Sequence, residues 1–141
     1  MKIGVILGTR PEIIKLAPII RECEKRKLDY FVIHTNQHYS YEMDKVFFEE
    51  LNLPQPKYNL NSGYDSFRKQ ISFMSKRALP IIKKEKPDYM IVYADPTSAW
   101  AGALAAAKAN CKICHVEAGL RSHDLKMLEE INRINIAQLA D

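Results

Sequence analysis

Short apolar runs alternate along this chain with longer segments whose apolar residues recur every three or four positions. Lys2–Leu7 is a β-rich apolar run closed by Gly8, the pattern of a strand buried on both faces. Behind it Thr9 is available as a helix cap, and Pro11 stands where a first helical residue tolerates a missing N–H. Ile13, Ala17, Ile20 and Cys23 then share one helical face. Residues 28–35 read as a second strand that ends in the polar loop Asn36-Gln37-His38. Met43, Val46, Phe47 and Leu51 carry helical spacing over about 39–51. Pro54 and Pro56 enforce an extended connection to a short strand at 58–60. Phe67, Ile71, Met74, Ala78 and Ile81 form the stripe of a long helix, in which Pro80 predicts a kink or break just before it.

The pattern continues with a strand at 89–94, an alanine-rich helix over 96–108 and a strand at Lys112–Val116. A loop at 118–124 leads to a last helix from near Leu128, with Ile131, Ile134 and Ala137 at core spacing. Strands and helices alternate throughout, so the class is α/β with a mainly parallel sheet. The first strand should neighbour the 89–94 strand, with Lys112–Val116 beyond it.

With 141 residues there is enough chain for one compact domain with a real core. Hydrophobic residues at 47% and charged residues at 27% belong to a soluble globular class, and a net charge of +4 does not demand nucleic acid. The Lys83-Lys84-Glu85-Lys86 run reads as a solvated helix end. The longest apolar stretches are strand-length, so neither a membrane span nor an export signal is expected. Three cysteines without an export signal point to the reducing cytoplasm.

Candidate chemistry follows from position. Arg10, Asp95 and Glu117 each come directly after a strand, and in a parallel sheet all three strand ends lie on one edge, where ligands bind. Arg10 is either an anion-binding guanidinium beside a helix N-terminus or an ordinary surface arginine. Asp95, just before Pro96, is either a helix N-cap or a functional carboxylate. Glu117 is either functional or neutralised by Arg121. Glu129 and Arg133, four apart near the start of the last helix, share a face as a salt bridge or as part of the same rim, with Glu130 beside them. His38 also follows a strand.

Two other motifs carry less. Cys111-Lys-Ile-Cys-His115 matches a haem-attachment pattern, but it falls on an expected strand, where residues three apart face opposite sides. Both cysteines are expected free, with at least one buried. G-x-G-x-x-G is absent, which disfavours a nicotinamide cofactor, and no second Cys or His pair has zinc spacing. No cofactor and no metal are expected.

Gly8-Thr-Arg-Pro-Glu-Ile-Ile-Lys15, Thr35-Asn-Gln-His38, His115-Val-Glu-Ala-Gly-Leu-Arg121 and Glu129-Glu-Ile-Asn-Arg133 resemble the UDP-N-acetylglucosamine 2-epimerases, in order along the whole chain. The resemblance implies a Rossmann-like sheet with helices on both faces, the N-terminal half of a two-domain GT-B fold. The active site would lie in the cleft against a C-terminal nucleotide-binding domain. It implies interconversion of UDP-N-acetylglucosamine and UDP-N-acetylmannosamine by elimination and re-addition of UDP, in cell-surface polysaccharide biosynthesis. A hydrolysing epimerase releasing N-acetylmannosamine and a non-catalytic domain of the same fold are the alternatives. By motif position, Asp95, Glu117, Glu129 and Arg133 are the catalytic candidates, and Arg10, Lys15 and His38 the substrate-binding ones. A cytoplasmic homodimer, inactive as this chain alone, is the corresponding expectation. Ala94-Asp95-Pro96 stands where Gly-Asp-Thr is usual, Met127-Leu-Glu-Glu130 where Met-Pro-Glu-Glu is usual, and Asn36 where glycine is frequent.

Overall fold

A computed structural model of the chain describes residues 1–36, 41–63 and 66–141, with 41–43 described by backbone alone. His38 therefore lies outside the described residues. Ten elements alternate: β1 (Lys2–Leu7), α1 (Arg10–Lys25), β2 (Asp29–His34), α2 (Tyr41–Glu50), β3 (Tyr58–Asn59), α3 (Phe67–Glu85), β4 (Tyr89–Tyr93), α4 (Thr97–Lys108), β5 (Lys112–Val116) and α5 (Leu128–Leu139). The strands form one parallel sheet in the order β3-β2-β1-β4-β5. The direction of winding reverses between β1 and β4, so a crevice opens at their carboxyl ends.

Both faces of the sheet are covered, as the apolar runs require. In β1, Val5 and Leu7 pack with Ile13, Leu16, Ala17 and Ile20 of α1, while Ile6 points the other way to the alanines of α4. In β4, Ile91 and Tyr93 join the first layer, and Met90 and Val92 the second. The period of two along a strand thus feeds two cores. α4 is packed deepest, with Ala99, Ala101, Ala103, Ala105 and Ala106 fully buried. A Cβ on Gly102 would stand 2.4 Å from Ile6 Cγ2, so the absence of a side chain there sets how closely α4 approaches β1.

Five expectations need correction. α3 runs unbroken through Pro80. The proline forfeits one bond, to the carbonyl of Lys76, and both residues are exposed where water can take that oxygen, while Ile71, Met74, Ala78 and Ile82 hold the opposite side in the core. Ile82, not Ile81, is the fully buried residue near its end. In α2 the anchor is Phe48, and Val46 is left in solvent. In α5 the buried residues are Glu130, Asn132 and Ile136, while Ile131 and Ile134 are half-buried and Ala137 exposed. That helix turns a polar face inward. Finally, β5 is an edge strand in which only Ile113 is buried, so Cys111 is half-buried and Cys114 exposed. The buried cysteine is Cys23, and all three are free. No helix among the described residues is long and apolar enough to cross a membrane.

Candidate active site

At the crevice between β1 and β4 lies a pocket of about 290 Å³, lined by Thr9, Pro11 and Glu12 on one wall and Tyr93, Ala94, Asp95 and Pro96 on the other. Glu117, Leu120 and Arg133 close it. Gly8 makes the first wall possible. A Cβ there would meet Thr35 Oγ1 at 1.9 Å and Ser98 Cβ at 3.1 Å, so only glycine lets the ends of β1 and β2 and the start of α4 converge.

The second wall is built on an unusual backbone. Ala94 takes a left-handed conformation (φ +49°), as does Glu117 after β5 (φ +60°) and Asn36 after β2 (φ +54°). Ala94 is held there from both sides: its N–H donates to Val116 O at 2.9 Å, and its carbonyl lies 2.7 Å from His115 Nε2. The two positions where alanine and asparagine stand in place of a frequent glycine, 94 and 36, are thus left-handed ones, a conformation asparagine tolerates better than alanine.

This backbone turns Asp95 into the pocket. Helix α4 begins at Thr97 with Pro96 as its N-cap, so Asp95 does not cap it. Its carboxylate instead meets Arg133 Nη2 at 2.5 Å, and Asn132 Nδ2 donates to its carbonyl at 2.7 Å. Arg133 also reaches Glu130 at 3.1 Å. Glu130, almost fully buried, accepts the N–H groups of Ser122 (2.9 Å) and His123 (3.2 Å). Those backbone bonds, the Ser122 one foremost, together with Arg133 outweigh burial and hold its carboxyl down at about 2. The inward polar face of α5 therefore fastens the 118–127 loop and Asp95 at once.

Glu117 faces the Tyr93 hydroxyl. Burial, and then the hydrogen bond and charge of Glu117, push the Tyr93 phenol up to about 12, so it stays a neutral donor at physiological pH. Glu12 is 1% exposed; it accepts Gly8 N–H at 2.8 Å and the Ser98 hydroxyl at 2.8 Å, yet burial carries it up to about 7.

Of the residues singled out from sequence, Asp95, Glu117 and Arg133 come together in this pocket. Arg10 is the first residue of α1, exposed, with its guanidinium 5.9 Å from the Phe47 ring centre, and Lys15 is exposed one turn further along. Neither lines the pocket, nor does Glu129, which is exposed. Arg133 pairs with Glu130 and Asp95, not with Glu129. Glu12, Tyr93 and Glu130 were not assigned roles from sequence. Thr9-x-x-Glu12 has the spacing in which a third helical glutamate folds back on the turn before it, a signal that marks Glu12. Nothing local marks Tyr93.

A sequence profile described as UDP-N-acetylglucosamine 2-epimerase matches residues 21–141. The UDP-N-acetylglucosamine 2-epimerase of Methanocaldococcus jannaschii is 57% identical over 134 residues, which is 95% of this chain and 37% of that protein. A UDP-2,3-diacetamido-2,3-dideoxy-D-glucuronate 2-epimerase of Pseudomonas aeruginosa is 41% identical across the whole chain and 40% of its own length. The chain thus spans under half the length of these curated relatives. Among solved structures, the M. jannaschii UDP-GlcNAc 2-epimerase in complex with UDP-GlcNAc and UDP superposes with a TM-score of 0.95 at 54% identity, covering 99% of this chain and 39% of that one. The Neisseria meningitidis enzyme bound to UDP-GlcNAc gives 0.93 at 32% identity, covering 99% and 38%. With its Rossmann-like parallel sheet and a match over most of its length, the chain belongs to the UDP-N-acetylglucosamine 2-epimerase family.

Proposed function

We propose that this chain supplies one wall of the active site of a UDP-N-acetylglucosamine 2-epimerase, interconverting UDP-N-acetylglucosamine and UDP-N-acetylmannosamine. The observation that carries the reading is the convergence of Asp95, Glu117 and Arg133 on one pocket at the switch point of the sheet. Inversion at carbon 2 by this route removes the proton there as the bond from carbon 1 to the diphosphate breaks, giving a 2-acetamidoglucal and UDP. Protonation from the opposite face and return of UDP complete it. The carboxylates Asp95 and Glu117 exchange the carbon 2 proton. Arg133 orients Asp95 and offsets its charge, and the neutral Tyr93 phenol orients Glu117 by donating a hydrogen bond. Arg10 and Lys15, exposed cations on α1 outside the pocket, suit the diphosphate side of such a substrate.

The relatives are about two and a half times longer, which fits a second domain that closes the cleft and holds the nucleotide. A cytoplasmic homodimer of that longer polypeptide is the working form we propose. The P. aeruginosa relative's name extends the same inversion to another UDP-sugar, so the sugar substituents are part of what a substrate screen must vary.

The test compares the chain alone with the same chain joined to the family's second half. The chain alone should give no turnover of UDP-N-acetylglucosamine. The joined protein should, and Asp95→Asn should lower its rate by orders of magnitude with at most a modest fall in melting temperature, because Asp95 caps no helix and Arg133 keeps Glu130 when its pair with Asp95 is lost. Undiminished turnover in Asp95→Asn refutes the assignment. Product analysis separates epimerisation, which yields UDP-N-acetylmannosamine, from hydrolysis to free N-acetylmannosamine.

A further inference from the structure

Every partner of the Glu12 carboxyl is a hydrogen-bond donor or a hydroxyl. Gly8 N–H lies 2.8 Å from Oε2, the Ser98 hydroxyl 2.8 Å from each oxygen, and the Thr9 hydroxyl and N–H also bond to it. Among the described residues no ion pair neutralises it. Glu12 sits in the first turn of α1 and Ser98 in the first turn of α4, so this one carboxyl links the two helix starts that flank the crevice. The linkage is tight, because the same turn brings Gly8 within 3.1 Å of Ser98 Cβ for any added methyl.

We propose that Glu12 is a positioning residue of the pocket: its proton sets how the first turn of α4, and Asp95 and Pro96 before it, are held against the turn between β1 and α1. Ionised, Glu12 accepts from Ser98 and makes a charge-assisted bond to Gly8 N–H. Protonated, it must donate its own O–H; of the two hydroxyls that reach it, Thr9 belongs to its own turn, and Ser98, 2.8 Å from both carboxyl oxygens, is the acceptor across the crevice. The Ser98 hydroxyl then turns from donor to acceptor, and the bond to Gly8 weakens to a neutral one. The other titratable or charged groups facing this region are the neutral Tyr93 phenol on β4, Asp95 and Glu117 across the pocket, and Arg133 from α5. Arg10 and Lys15 on its own helix are exposed. Burial places the change at about pH 7.

The proposal rests on the reading of this pocket as the reacting site, but the experiment reads the pocket and not turnover, so either can fail alone. Backbone amide ¹⁵N and ¹H shifts of Gly8, Ser98 and Asp95 are followed in the 141-residue chain from pH 5.5 to 8.5. All three should titrate with one midpoint near 7, and Glu12→Gln should abolish it at all three. Ser98→Ala, which removes a donor to the carboxylate, should raise the Gly8 midpoint and uncouple Asp95 from it. If Glu12→Gln does not fold, the Ser98→Ala shift carries the test. A midpoint that survives Glu12→Gln overturns the proposal, as does titration at Gly8 with none at Asp95, which would leave Glu12 as a cap of its own helix. An unmoved Gly8 midpoint in Ser98→Ala overturns it too.

Discussion

Replacing Ala94 by glycine should cost this protein no stability, although removing a methyl from a folded chain ordinarily does. An L-residue in the left-handed region carries about 1–2 kcal/mol of strain that glycine lacks. Against this, glycine gives the unfolded chain more freedom, worth about 0.4–1 kcal/mol. The half-buried methyl packs at the edge of the core under α1, and losing it forfeits roughly 0.4 kcal/mol, half of a fully buried methylene. At mid-range these effects leave about 0.4 kcal/mol in favour of glycine, with extremes from about 0.4 kcal/mol against it to about 1.2 kcal/mol for it. A control is available in the same protein: Ala107, half-buried within α4. Ala107→Gly should lose about 1 kcal/mol, the ordinary helical penalty. Urea denaturation followed by circular dichroism resolves the two, provided the slope with denaturant is the same in both variants. Equal losses in Ala94→Gly and Ala107→Gly would refute the strain argument, and with it the idea that the hydrogen bonds from the Ala94 N–H to Val116 and from the His115 ring to the Ala94 carbonyl impose the conformation.

Two further outcomes test other parts of the structure. Glu85, drawn down to about 2 by hydrogen bonds from Lys2, then Lys57 and Tyr58, is ionised in the fold well below its unfolded value of 4.5, so its contribution is present above that value and lost as pH falls toward 2; Glu85→Gln should be less stable at pH 6 yet show a shallower acid loss, and equal acid sensitivity in both proteins would count against the network. Under native conditions a thiol reagent should modify Cys114 first, Cys111 more slowly and Cys23 only on unfolding, as read by mass spectrometry of the labelled peptides; labelling of Cys23 in the folded protein would contradict its burial.

The sheet was legible in the sequence because its signal is local. Apolar runs of strand length mark β1, closed by Gly8, and likewise β4 and β5, and the alternation of elements implies parallel pairing. From there, Asp95 and Glu117 follow from topology alone, since residues after parallel strands must share an edge. What sequence did not reveal is how polar residues are partnered. Helix α5 was assigned an apolar inner face from Ile131, Ile134 and Ala137, whereas Glu130 and Asn132 turn inward because the 118–127 loop and the Asp95 backbone present groups that need partners. Periodicity weighs hydrophobicity and cannot see a hydrogen bond to a distant loop. Pro80 meets the same limit: the cost of a helical proline depends on whether the orphaned carbonyl reaches water, and that is settled only once the opposite stripe has packed.

The dependence of Asp95 on α5 also orders events while the chain is being made. β1, β2 and β4 can pair as soon as Tyr93 has emerged, but the groups that hold Ala94 in its left-handed turn arrive with His115 and Val116, and those that fasten Asp95 arrive only with Asn132 and Arg133. Before His115 and Val116 are made, Ala94 lacks both hydrogen bonds that hold its left-handed turn. The sheet is therefore early and the pocket late: a nascent chain halted before α5 would carry most of the core but would lack the Asn132 and Arg133 contacts that hold Asp95 in place.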